Sequence, residues 1–158
     1  MFKRWNNNNN RSMSLANSVH DYILLVDDEK DILDLFSDYL ISHGFNTVAF
    51  QNPIEALEYF YQNISNCSLV ITDYKMPQMS GIDLIKKIRQ KDDTAVFRIK
   101  TIVISAYMKD NIPFDKSYAA TVDKILEKPV YLDKLKKEIQ ELLSSSVTIH
   151  QKHESIKK

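Results

Sequence analysis

Four sets of polar groups in this chain stand where apolar runs end. Asp27-Asp28 follow Tyr22-Ile23-Leu24-Leu25-Val26, Asp73 closes the run 68–73, Ser105 follows the run 99–104, and Lys128 comes just after the run 122–126. Carboxylates, a hydroxyl and an ammonium are together the groups needed to handle a phosphoryl group. A carboxylate can attack phosphorus as a nucleophile. Crowded carboxylates can cup a hard cation. A hydroxyl and an ammonium can neutralise the phosphoryl oxygens, where most of the catalytic work of phosphoryl transfer lies. Asp73 is the most informative of the set. It ends a buried-strand pattern and opens a loop, Tyr74-Lys75-Met76-Pro77, that leads to Ser80-Gly81. A carboxylate there is held by a rigid scaffold and still reaches solvent, on the sheet edge where open α/β folds bind ligands.

The elements that must position these groups alternate along the chain. After the first apolar run, Ile32, Leu35, Phe36, Tyr39 and Leu40 recur at helical spacing, and Gly44 is placed to end that helix. Residues 46–50 read as a second strand. Asn52, Pro53 and Glu55 have the spacing of an N-cap, a first-turn proline and a capping box, and Leu57, Phe60, Tyr61 and Ile64 form the buried stripe of the helix they open. The third strand ends at Asp73. Ser80, with Asp83 three residues on, starts a helix whose inner face is Ile82, Ile85 and Ile88. Residues 91–98 are a polar connection with one phenylalanine. A fourth strand covers 99–104, and Pro113 starts or breaks a helix within 108–120. A fifth strand covers 122–126, and Leu132, Leu135, Ile139 and Leu142 mark a final helix. Strands alternating with helices imply a parallel sheet with right-handed crossovers, covered on both faces. All four sets of polar groups then emerge on one edge.

At 158 residues the chain has room for one domain with something left over. The 21 basic and 21 acidic residues cancel, which argues against bulk attraction to nucleic acid or anionic membrane. No run approaches the roughly 18 apolar residues a spanning helix needs, and the N-terminus lacks the apolar core of a secretory signal, so a cytoplasmic location is expected. Cys67 is the single cysteine; it reads as a small half-buried residue and excludes an internal disulfide. Residues 1–20, with asparagine at positions 6 to 10, read as a disordered tail, 21–144 as the folded domain, and 145–158 as a polar tail that prolongs the last helix by a turn. His20, His43, His150 and His153 share no compact motif with a carboxylate pair or the cysteine.

Taken together, Val26-Asp27-Asp28-Glu29, Thr72-Asp73-Tyr74-Lys75-Met76-Pro77-Gln78-Met79-Ser80-Gly81, Ile104-Ser105-Ala106 and Lys128-Pro129 resemble the receiver domain of two-component response regulators, over residues 22 to 143. The resemblance implies a flavodoxin-like fold with five parallel strands in the order 2-1-3-4-5 and five helices. It implies that Asp73 accepts a phosphoryl group from a sensor histidine kinase or a histidine phosphotransfer protein. It implies Mg²⁺ held by Asp28 and Asp73 directly, by Asp27 through water and by the backbone carbonyl of Lys75. Lys128 would pair with the phosphoryl group and Ser105 would donate to one of its oxygens. The Lys128-Pro129 bond would be cis. Each residue also has a plainer reading: Asp27 and Asp28 as caps of the following helix, Ser105 as an ordinary strand-end hydroxyl, Lys128 as a solvated lysine before a turn, Asp73 as a turn residue.

The chain departs from the family pattern at Ile125, where relatives usually carry Phe or Tyr. That puts the coupling of Ser105 to an output face in question; Tyr107 is a substitute mobile aromatic or a rim residue. Lys75 and Tyr107 flank the pocket as a bulky pair expected to slow loss of the phosphoryl group to water. The expected function is a single-domain response regulator that catalyses only its own phosphorylation and dephosphorylation, switching a protein-binding face or relaying phosphate, without direct DNA or membrane binding. The alternatives are an aspartyl-nucleophile phosphohydrolase, which would want a second carboxylate where Lys75 stands, and a receiver fragment of a longer regulator. A flavin- or nucleotide-binding protein of similar topology would want a glycine-rich loop where Asp27-Asp28-Glu29 stand.

Overall fold

A computed structural model of the chain describes residues 21–91, 94–106 and 121–154. Five strands, β1 (Tyr22–Val26), β2 (Thr47–Phe50), β3 (Cys67–Asp73), β4 (Lys100–Ser105) and β5 (Lys124–Glu127), form one sheet in the order β2-β1-β3-β4-β5. Every neighbouring pair is parallel. Four α-helices lie among the described residues: α1 (Lys30–Ser42), α2 (Pro53–Gln62), α3 (Gly81–Arg89) and α4 (Leu132–Glu154). This is the doubly wound parallel α/β fold that the alternation predicts, in the flavodoxin-like strand order that the family resemblance implies. The fifth helix expected within 108–120 lies outside the described residues.

The strands read as unbroken apolar runs because both sheet faces are covered. Side chains alternate along β1: Tyr22, Leu24 and Val26 join a cluster with Ala56, Leu57 and Phe60 of α2 and Leu84 and Ile88 of α3. Ile23 and Leu25 face the other way, onto Leu33, Phe36 and Leu40 of α1 and Leu135 and Ile139 of α4. A third cluster sits at the β4–β5 end, where Ile82, Ile85 and Val103 carry Tyr74, Val122 and Ile125.

Several expectations shift in detail. Leu35 is 50% exposed, and Leu33 takes the inward place on α1. Tyr61 is 40% exposed, with its ring beneath the Lys91 ammonium, while Ala56 completes the α2 face. Both misreadings place a large apolar residue inside where the helix phase turns it to the rim. Asn52 caps α2 by accepting from the Ile54 N–H at 2.9 Å. Glu55 meets the Asn52 side-chain amide rather than its main chain, so the reciprocal box is not formed. The Ser80 hydroxyl accepts from the Asp83 N–H at 3.1 Å and donates to the Asp83 carboxylate, starting α3 as predicted. The polar connection 91–98 holds a 3-10 turn, Thr94–Arg98, that buries Val96 completely. The last helix does not stop a turn beyond 144 but runs to Glu154. None of the described helices is long and apolar enough to cross a membrane.

Candidate functional site

Parallel pairing brings the strand ends to one edge. The ladders continue one residue past the strands: the Asp27 N–H donates to the Phe50 carbonyl at 3.2 Å, Tyr74 N–H to Ile104 at 2.7 Å, and Lys128 N–H to Ser105 at 2.8 Å. Asp27, Asp73, Ser105 and Lys128 are thereby fixed through main-chain bonds, before any side-chain contact. The Lys128-Pro129 bond is cis.

The loop after Asp73 closes on itself. Gly81 N–H donates to the Tyr74 carbonyl at 3.0 Å. A Cβ at Gly81 would lie 2.1 Å from the Asp73 carbonyl oxygen, so only glycine lets α3 start against the end of β3. Within this loop Gln78 has φ +70, and Met79 N–H donates across it to the Pro77 carbonyl at 2.8 Å. That is a tight γ-type turn of a strained kind. It sits between Met76, buried in the core, and Met79, packed against it.

The side chains meet in a cleft of about 190 Å³ lined by Glu29, Asp73, Tyr74, Lys75, Ser105, Ala106 and Lys128. Asp73 is only 6% exposed. Its Oδ2 accepts from the Lys75 N–H at 2.8 Å, and its Oδ1 lies 2.7 Å from Lys128 Nζ. The same ammonium is 3.4 Å from Glu29 Oε1 and 3.6 Å from Asp27 Oδ2. Asp27 is 2% exposed, and its Oδ1 accepts from the Glu29 N–H at 2.9 Å. Ser105 is buried at the cleft wall.

Burial pushes the Asp27 carboxyl up to about 6; the Glu29 N–H and the Lys128 ammonium pull the other way and do not overcome it. Burial by itself would lower the Lys128 ammonium, but the Asp73 carboxylate and then the Asp27 charge raise it on balance. The two directions agree physically: three carboxylates share one cation, so the cation is held firmly and the most desolvated carboxylate is left short of compensation.

Of the expected site residues, Asp73, Ser105, Lys128 and the Lys75 main chain come together, with Asp27 reaching Lys128 from behind. Asp28 does not line the cleft; its carbonyl accepts from Gln51 Nε2 at 3.2 Å. The helix cap is Glu29 rather than either aspartate, and its side chain makes no capping bond. Among the described residues no three His, Cys, Asp or Glu side chains converge as a metal site. The donors available to a cation are all hard oxygens, the kind Mg²⁺ takes, and the desolvated Asp27 carboxylate would gain most from one. Tyr107 lies outside the described residues. Glu29 and Tyr74 were passed over in the sequence; their only signal is adjacency to Asp28 and Asp73. Cys67 is buried and its thiol is pushed up to about 12 by desolvation, in keeping with a packing role.

A parallel sheet in this order, with Asp73 at the carboxyl end of its central strand β3 paired to Lys128 just past the edge strand β5, defines a class of small doubly wound α/β domains. The response regulator receiver domain profile matches residues 23–140, and the chain belongs to that family. It is 32% identical over 123 residues to the chemotaxis protein CheY of Bacillus subtilis, covering 77% of this chain and 97% of that one. It is 30% identical over 125 residues to a cyclic di-GMP phosphodiesterase of Thermotoga maritima, covering 79% of this chain and 32% of that protein. It likewise covers 32% of the transcriptional regulatory protein CpxR of Escherichia coli, so it spans about a third or less of several curated relatives. A receiver domain from Methanospirillum hungatei superposes with a TM-score of 0.66 at 26% identity, over 81% of this chain and 97% of that one. One from Clostridium thermocellum, at 24% identity, shares the fold with a TM-score of 0.70 over 82% and 98%.

Proposed function

We propose that this receiver accepts a phosphoryl group on Asp73 and changes a protein-binding face in response. The observation that carries this reading is the Asp73 carboxylate itself, buried at a strand end with one oxygen on the Lys75 N–H and the other 2.7 Å from Lys128 Nζ. In the transfer, a carboxylate oxygen of Asp73 forms the new O–P bond as the N–P bond of a phosphohistidine on a sensor kinase or phosphotransfer protein breaks. The histidine nitrogen keeps the bonding electron pair and takes up a proton. Lys128, already in the cleft, offers its point charge to the equatorial oxygens. Ser105, on the cleft wall, donates to one of them. The Lys75 N–H holds the attacking carboxylate in place.

Mg²⁺ is the cation the oxygen donors favour; Asp28, Asp73 and the Lys75 carbonyl would hold it directly and Asp27 through water, with the Asp28 side chain turning into the cleft to do so. It would supply charge neutralisation for the dianionic phosphoryl group. The bulk of Lys75 at the cleft supports slow hydrolysis of the acyl phosphate. An aspartyl-nucleophile hydrolase is disfavoured, because the position two residues after Asp73, where it would want a second carboxylate, holds Lys75. We read the chain as a cytoplasmic signalling protein that does chemistry only on itself. It would act through an unidentified downstream protein rather than through DNA, either by itself or as the receiver of a longer regulator.

The test is mass spectrometry after incubation with acetyl phosphate and Mg²⁺. The wild-type chain should gain one phosphate, and Asp73→Asn should gain none. An equal gain in both would sink the assignment.

A further inference from the structure

Tyr74 is, among the described residues, the one residue that both lines the cleft and packs its side chain against the Ile82, Ile85 and Val103 cluster. Its main chain is held at both ends, by the bond to Ile104 and by the bond from Gly81. It is half-buried against the cluster of Ile82, Ile85 and Val103, onto which Val122 and Ile125 also pack. Among the described residues no hydrogen bond holds its hydroxyl. The side chain is therefore anchored at Cα, and no hydrogen bond of its hydroxyl to a described residue opposes a change of rotamer.

The other walls of the cleft are less able to give way. Ser105 is 1% exposed and lies in β4. Lys128 is drawn toward three carboxylates. Both Asp73 oxygens are already engaged, so an added group must extend into the cleft, past Ser105, Ala106 and Tyr74. A phosphoryl group added there would crowd the residues that line the cleft, Tyr74 among them. The ring can move off without breaking a polar bond.

We propose that Tyr74 is a positioning residue that carries cleft occupancy to the α3–β4–β5 face. When Asp73 bears a phosphoryl group, the ring turns away from the cleft and repacks against Val122 and Ile125. This rests on the reading of Asp73 as the phosphoryl acceptor. It makes Ile125 a passive partner and places the moving aromatic next to the reacting carboxylate.

The test uses the full chain with 3-fluorotyrosine at position 74 and methyl labels on Val122 and Ile125, with acetyl phosphate and Mg²⁺ as donor. Phosphate gain is followed by mass. In the wild type the fluorine resonance at position 74 should shift together with the two methyl signals. Tyr74→Leu should still gain phosphate, but with methyl shifts reduced at least about threefold; Tyr74→Phe should keep them. Phosphate gain with a stationary fluorine signal overturns the proposal while leaving the acceptor reading intact. So does Tyr74→Leu with undiminished methyl shifts. No phosphate gain in the wild type overturns both. Should Tyr74→Leu fail to fold, the fluorine signal decides alone.

Discussion

Lys128 Nζ lies 2.7 Å from Asp73 Oδ1, across a cleft built from the ends of β3 and β5, with β4 between them. Fifty-five residues separate the two in the chain, and main-chain bonds bring them together: Lys128 N–H on the Ser105 carbonyl and Tyr74 N–H on the Ile104 carbonyl. The pair is thus set by strand register, and the side chains only complete it.

Removing the ammonium should slow phosphoryl uptake without unfolding the sheet. Lys128→Ala is expected to lower the rate with acetyl phosphate on the order of 10²-fold, the usual effect of deleting one preorganised charge partner. Lys128→Arg should restore only part of the rate, because a planar fork does not replace a point charge. The measurement is the initial rate of phosphate gain by mass; an unchanged rate in Lys128→Ala would remove the lysine from the chemistry.

The Asp27 carboxyl gives the fold a pH dependence. Its value is about 6 in the folded protein against 3.8 for the ordinary side chain. A carboxyl raised on folding binds its proton more tightly in the native state. Its contribution is fully present below pH 3.8 and is lost as pH rises through 6. The shift corresponds to a loss of about 3 kcal/mol at most. In metal-free buffer, Asp27→Asn should therefore be more stable than wild type at pH 7.5 and close to it at pH 4. Urea denaturation at the two pH values reads this directly, and a destabilised Asp27→Asn at pH 7.5 would contradict it. Added Mg²⁺ should narrow the gap at pH 7.5.

The chain's two glycines should respond to alanine for different reasons. Gly44 has φ +86 at the end of α1 and nothing within 4 Å of a built Cβ, so Gly44→Ala should cost about 1 kcal/mol through the backbone alone. Gly81→Ala drives a methyl into the Asp73 carbonyl and should cost about 3 kcal/mol, with loss of phosphate uptake as β3 and α3 part. Denaturation midpoints of the two variants rank them; equal losses would be inconsistent with the collision.

Cys67 should behave as an inert thiol. It is 8% exposed and its ionisation is pushed up to about 12. At pH 8 iodoacetamide should leave the native chain unmodified and alkylate it fully in urea. Rapid labelling of the native protein would show that the segment around β3 opens.

The sequence by itself determined the layered α/β architecture, because apolar runs at strand length alternate with stripes at helical spacing, and both signals are local. It also determined that Asp73, Ser105 and Lys128 share an edge, since parallel strands with helical crossovers all end on the same side. It placed Leu35 and Tyr61 inside wrongly, because a periodic stripe does not say how wide the covered arc is. It passed over Glu29 and Tyr74, whose parts depend on contacts across the cleft. Only the tertiary structure decided that one ammonium serves three carboxylates, that burial raises the Asp27 carboxyl in spite of that ammonium, and that Tyr74 joins the cleft to the β4–β5 cluster. Those outcomes depend on distances of a few ångströms between residues far apart in the chain, and desolvation and Coulomb energies vary steeply over such distances.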